Sequence, residues 1–185
     1  VGWESMGQSD IGALPLLPLS KLENAFSESD FIAAPTWLGK SYESSPLSRT
    51  GSTLISNLMQ RDGNGLLVRV VARLTELSQL IETLAENYDL ELLPRQPAFE
   101  GGSGIGYVEA ARGRLYHRVV LSDGVVEQYQ ILAPTEWNFS PTGAVALGLA
   151  GFDGSDTSLE QQVRLLINVV DPCVGFNLTI NREAG

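Results

Sequence analysis

One cysteine, one histidine and 12 basic residues are all that this 185-residue chain offers. Each scarcity excludes something. A single cysteine cannot close an internal disulfide, which fits a reducing compartment and leads us to expect a cytoplasmic protein. A single histidine, His117, rules out histidine-cluster metal sites and leaves a Ser-His-Asp hydrolase one base at most. No G-x-S-x-G elbow, Walker loop or Rossmann fingerprint occurs, and "GGSGIG" precedes a strand pattern rather than a helix. The 12 basic residues face 22 acidic ones, for a net charge of -10, so a phosphate backbone would be repelled and nucleic acid is excluded as a partner. There is no apolar run of roughly 20 residues that could span a bilayer. A basic amphipathic surface helix is also missing. The opening "VGWESMGQSD" lacks the charged-then-apolar order of a signal peptide.

What is present suits a packed core: 43% hydrophobic and 18% charged residues. Residues 1–35 read as an irregular arm with one short helical turn near "LSKLENAF", and residues 36–185 as a single domain. From Pro46, Leu47, Gly51, Leu54 and Leu58 share a helical stripe. "RDGNG" breaks it, and a longer helix follows in which Leu67, Val70, Leu74, Leu77, Ile81 and Leu84 form a narrow seam. The short connection predicts a helical hairpin. "LPRQPAFEGGSGIG" ends the helical region. Asp123-Gly124 joins two strands through a tight turn, and "APTEWNFSPTG" reads as a loop. Thr157 and Glu160 form a T-x-x-E capping box for a helix lined by Leu159, Val163, Leu166 and Val170 and ended by Pro172. The expected fold class is mainly α with a small antiparallel β-hairpin.

Three segments carry polar residues between these elements: "YVEAARGRLYH" with Glu109, Arg112 and His117, "LAPTEWN" with Thr135, and "DPC" with Asp171 and Cys173. Taken singly they have ordinary readings. An arginine in a glycine-flanked turn is usually a surface residue, a threonine after proline a turn residue, and a lone cysteine a small buried hydrophobe.

In this order they resemble the C-terminal part of the nickel-iron hydrogenase large-subunit family. That family's E-A-P-R-G-x-L-x-H, P-T-[TS]-W-N and D-P-C-x-x-C stretches are matched by "EAARGRLYH", "PTEWN" and "DPCVGF". Upstream, Gly39, Glu43, Pro46, Leu47 and Arg49 match a further stretch, so the resemblance spans roughly residues 36–180. It implies a hydrogenase large-subunit-like helical bundle. It also implies that Arg112 and Thr135 donate to the two cyanides of an Fe(CN)2CO unit, that Leu115 walls the diatomic ligands, and that Cys173 corresponds to a terminal thiolate ligand of nickel. Glu109, His117, Asp171 and Phe176 stand as supporting neighbours.

The departures are as informative. The family's bimetallic centre uses four thiolates, and this chain has one cysteine; Phe176 stands where the bridging thiolate would be. One soft donor does not hold nickel durably. The expectation is therefore no stable nickel, with Cys173 a single labile ligand and Fe(CN)2CO a transient guest. That pattern resembles the HupK-type maturation proteins, which implies a non-catalytic assembly scaffold working with hydrogenase maturation proteins or hydrogenase subunits. The alternative is a metal-free homologue that only binds a partner protein. Redox use of Cys173 is disfavoured because it follows a helix C-terminus, where the macrodipole opposes negative charge. Leu77, Ile81 and Leu84 form a helix face through which a second copy could pair.

Overall fold

A computed structural model describes residues 2–28, 30–86, 98–100, 102–154 and 156–181. Its elements are β1 (Gly12–Ala13), α1 (Leu19–Ala25), β2 (Tyr42–Glu43), α2 (Thr53–Asp62), α3 (Leu66–Ala85), β3 (Ala98–Glu100), β4 (Ser103–Ala110), β5 (Gly113–Ser122), β6 (Val125–Leu132), α4 (Pro134–Phe139), α5 (Ala144–Leu149) and α6 (Leu159–Val170). The proline-rich break expected at 93–97 lies outside the described residues.

The β component is larger than the expected hairpin, so "mainly α" understates it. Strands β3 to β6 form a four-stranded antiparallel sheet in sequence order. Strand β4 was hidden by Gly104 and Gly106, which carry low strand propensity. It forms through its eight-residue register with β5, from Ser103 opposite Val120 to Ala110 opposite Gly113. The β5–β6 turn follows its sequence signal, with Asp123 at φ 51° and Gly124 at φ 77°.

Period-two alternation gives the sheet an inner face of Ile105, Tyr116 and Leu132, all buried. Leu14, Leu17, Leu22, Phe26 and Phe31 cover that face, so the first 35 residues supply more than half of this core. Trp137 from α4 completes it, with the rings of Phe31 and Tyr42 edge-on at 6.4 Å. A second core gathers around α6, where Leu159, Val163, Leu166 and Val170 are buried as the spacing predicts. The α6 start differs from the expected T-x-x-E box. Ser158 is its N-cap, and Asp156 accepts from the Ser158 N–H at 2.7 Å and from Gln162 Nε2 at 2.7 Å. Those contacts lower the Asp156 pKa, the Ser158 N–H most of all.

The helical stripe that starts at Pro46 is two elements. Pro46–Ser48 is a 3-10 turn capped by Ser45, and α2 begins only at Thr53, where Ser52 Oγ accepts the Ile55 N–H at 3.1 Å. Helices α2 and α3 pack against each other as expected, but through Ile55, Val68 and Ala72. The leucine seam of α3 points away from that contact, with Leu74, Leu77, Ile81 and Leu84 each more than half exposed. The polar residues Arg69, Arg73 and Glu76 run beside it and reach inward. Arg69 forms a buried ion pair with Glu43 at 2.8 Å and donates to the Gly7 carbonyl at 2.9 Å.

Candidate functional site at the Arg112 turn

"APTEWNF" is helical, not a loop: Pro134 takes the first turn, where its missing N–H costs nothing, and Glu136 reaches back to the Ala133 N–H at 2.7 Å. Thr135 therefore stands on the first turn of a short helix whose Trp137 and Asn138 are locked in the core. Asn138 Oδ1 accepts the Ser44 N–H at 2.8 Å and its Nδ2 donates to the Ser44 carbonyl at 2.7 Å. This buried amide is also the first of the chain's two N-x-S/T sequons, so in the fold it is spent on Ser44.

Ser44 also fixes the second segment. Its Oγ accepts the Arg114 N–H at 2.9 Å, and Gly113 lies so close that a Cβ there would meet the Ser44 carbonyl oxygen at 2.6 Å. Gly113 also has φ 141°, in the region that favours glycine. The β4–β5 turn thereby presents Arg112 outward, with its side chain 44% exposed.

The third segment follows α6. Asp171 precedes a proline, which disfavours a right-handed helical conformation, and it takes φ 59° in the left-handed region that aspartate tolerates. The chain then leaves α6 sharply and carries Cys173 to α4, where the Cys173 N–H donates to Thr135 Oγ1 at 3.2 Å. Asp171 Oδ2 accepts from Arg112 Nε at 2.9 Å and lies 3.5 Å from Arg73 Nη2. The hydrogen bond and charge of Asp171 raise the Arg112 pKa, with a smaller contribution from nearby Cys173. A guanidinium has five N–H donors, so pairing through Nε orients the fork without exhausting it.

Arg112, Thr135, Asp171 and Cys173 thus meet on one ledge that is open to solvent: Arg112 and Cys173 are exposed, and Thr135 and Asp171 half-buried. The other expected neighbours have partners or settings of their own. Leu115, half-buried, pairs with Val108 across the sheet. His117 Nδ1 and the Tyr129 hydroxyl are 2.6 Å apart, with their rings stacked. Glu109 binds Arg114 Nε and lies 3.3 Å from Arg49 Nη1, away from Arg112. Phe176 is 38% exposed in the segment after the ledge. A cleft of about 410 Å³ lies apart from the ledge, between β1, the 3-10 turn and α2. Among the described residues no cluster of three or more His, Cys, Asp or Glu is placed to hold a metal.

Three residues next to the ledge carry interactions that the motif reading passed over. Arg49 donates to the carbonyls of Ala110 at 2.6 Å and Ala111 at 3.0 Å, and binds Glu76 through Nε at 2.5 Å and Nη2 at 2.9 Å. Burial opposes the charge on Arg49, but the hydrogen bond and charge of Glu76, helped by Glu109, raise its pKa. Arg73 Nη2 donates to the Val169 carbonyl at 3.1 Å. Arg69, Arg73 and Glu76 stand four and three apart on one side of α3, a spacing that marks a shared face without naming what they touch.

A family model for nickel-dependent hydrogenase matches residues 61–175. The chain belongs to the nickel-dependent hydrogenase family. This hydrogenase-family chain is 34% identical over 166 residues to the hydrogenase expression/formation protein HupK of Rhizobium leguminosarum bv. viciae, covering 85% of the chain and 43% of that relative. To the hydrogenase expression/formation protein HoxV of Cupriavidus necator it is 34% identical over 191 residues, covering 92% and 48%. It superposes on the Ni-Fe-Se hydrogenase of D. vulgaris Hildenborough with a TM-score of 0.55 and 29% identity, over 80% of this chain and 38% of that one. The chain spans less than half the length of these relatives. No helix among the described residues is long and apolar enough to cross a membrane.

Proposed function

We propose that the chain serves hydrogenase formation as a non-catalytic scaffold, receiving an Fe(CN)2CO unit as cargo and passing it on. The observation that carries this reading is the meeting of Arg112, Thr135 and Cys173 on one ledge in a chain with a single cysteine. Each group has suitable chemistry. The Arg112 fork donates to an anionic cyanide nitrogen. The Thr135 hydroxyl accepts from the Cys173 N–H and can donate to a second cyanide at the same time. Cys173 offers the iron one thiolate. A single thiolate on an open ledge binds weakly enough to release its guest, and it does not suit nickel, which prefers several soft or nitrogen donors. The partners are maturation proteins or hydrogenase subunits in a reducing compartment, where Cys173 stays a thiol.

One observation favours a second reading, a metal-free homologue that acts only by binding a partner protein. Arg112 already has a carboxylate partner in Asp171, so it is satisfied without a guest. Metal analysis separates the two. The chain produced together with the maturation machinery and purified without oxygen should carry iron at up to about one per chain and negligible nickel. Cys173→Ser should lose most of that iron. Wild-type protein without iron would leave the metal-free reading in place.

A further inference from the structure

We propose that helix α3 sets the position of Arg112 relative to Cys173, with Arg73, Glu76 and Arg49 as the positioning residues. Two kinds of contact join the segments at the ledge: the Arg112–Asp171 ion pair, with side chains 44% and 35% exposed, and the Cys173 N–H to Thr135 bond, also exposed. Exposed pairs of this kind fix little by themselves. Behind each segment stands a part-buried contact that returns to α3.

On one side Glu76 grips Arg49 with both carboxylate oxygens, the two side chains being 20% and 15% exposed. Arg49 in turn holds the carbonyls of Ala110 and Ala111, the two residues before Arg112. On the other side Arg73 holds the Val169 carbonyl in the last turn of α6 and faces Asp171, two residues before Cys173. Arg73 and Glu76 lie three residues apart, on neighbouring positions of one helical face. The helix that carries them is anchored by the fully buried Val68 and Ala72 and by the buried Arg69–Glu43 pair. One helix thus holds the Arg112 turn through the Glu76–Arg49 pair and the Cys173 segment through Arg73, one turn away. Only the consequence for an iron guest rests on the function proposed above.

Hydrogen exchange and infrared spectra of the full chain test this. Glu76→Gln should speed amide exchange in residues 110–113 by about tenfold and leave 171–174 nearly unchanged. Arg73→Met should do the reverse, and Arg73→Lys, which keeps the charge facing Asp171, should recover part of the protection. Both variants should keep the urea midpoint within the range of ordinary surface substitutions. Equal exchange in variants and wild type, or loosening spread evenly along α3, would overturn the proposal. When wild-type protein shows cyanide stretching bands, both variants should shift or weaken them, and unshifted bands would remove the positioning role. Wild-type protein without bands would sink the iron-scaffold reading alone, because the exchange pattern still decides the role of α3.

Discussion

The main-chain N–H of Cys173 reaches Thr135 Oγ1 at 3.2 Å, across 38 residues of sequence. This bond links the only cysteine to the helix that carries the threonine, and it makes Thr135 a prop for the cysteine segment. Thr135→Val keeps the shape and removes the oxygen. It should cost less than about 1 kcal/mol of global stability, because the bond is exposed. Amide exchange at Cys173 should nevertheless rise clearly, and nuclear magnetic resonance of that single amide checks it.

Gly113 is the point where the Arg112 turn touches Ser44. Gly113→Ala would place a methyl group 2.6 Å from the Ser44 carbonyl oxygen at a φ of 141°, so the turn must move. The expected loss is about 2 kcal/mol or more in urea unfolding, at a residue that bears no functional group.

The Glu43–Arg69 pair lies 3% and 2% exposed beneath the same region. Glu43→Gln would strand a buried guanidinium, and the expected destabilisation is about 3–5 kcal/mol by chemical denaturation. Glu43→Gln combined with Arg69→Met should cost less than Glu43→Gln alone.

Asp156 sets a pH dependence. Its pKa is lowered in the fold by the Ser158 N–H, then by the Ser158 hydroxyl and Gln162. A carboxylate lowered on folding stabilises above its unfolded pKa, and that contribution is lost as pH falls through the folded value. Wild-type and Asp156→Asn midpoints should therefore differ most near neutral pH and converge as pH falls through the lowered folded pKa of Asp156.

Local chemistry was the legible part of this fold. The period of α6, the Asp123-Gly124 turn and the Asp-Pro exit all depend on neighbours within a few residues, and the structure follows each of them. Strand β4 and helix α4 were not legible. Glycines weaken the signal of the first, and the second is only six residues long, kept by the burial of Trp137 and the Asn138–Ser44 bonds across 94 residues. At the ledge, motif order pointed to Arg112, Thr135 and Cys173. The placement of Glu109, directly opposite Arg114, follows from the β4–β5 register and was hidden along with β4. The part played by Arg73 and Glu76 was not legible either, since their contacts reach across 96 residues to Val169 and 27 to Arg49. The exposed seam of α3 shows the complementary limit: periodicity finds an apolar face but does not say what covers it.

The most direct measurement is the infrared spectrum of the chain produced together with the hydrogenase maturation machinery and purified without oxygen. Cyanide and carbonyl stretching bands in the wild type, lost in a folded Arg112→Ala variant, are the predicted result. A wild-type spectrum empty of those bands, or bands that Arg112→Ala leaves unchanged, would contradict the assignment of this ledge to an Fe(CN)2CO guest.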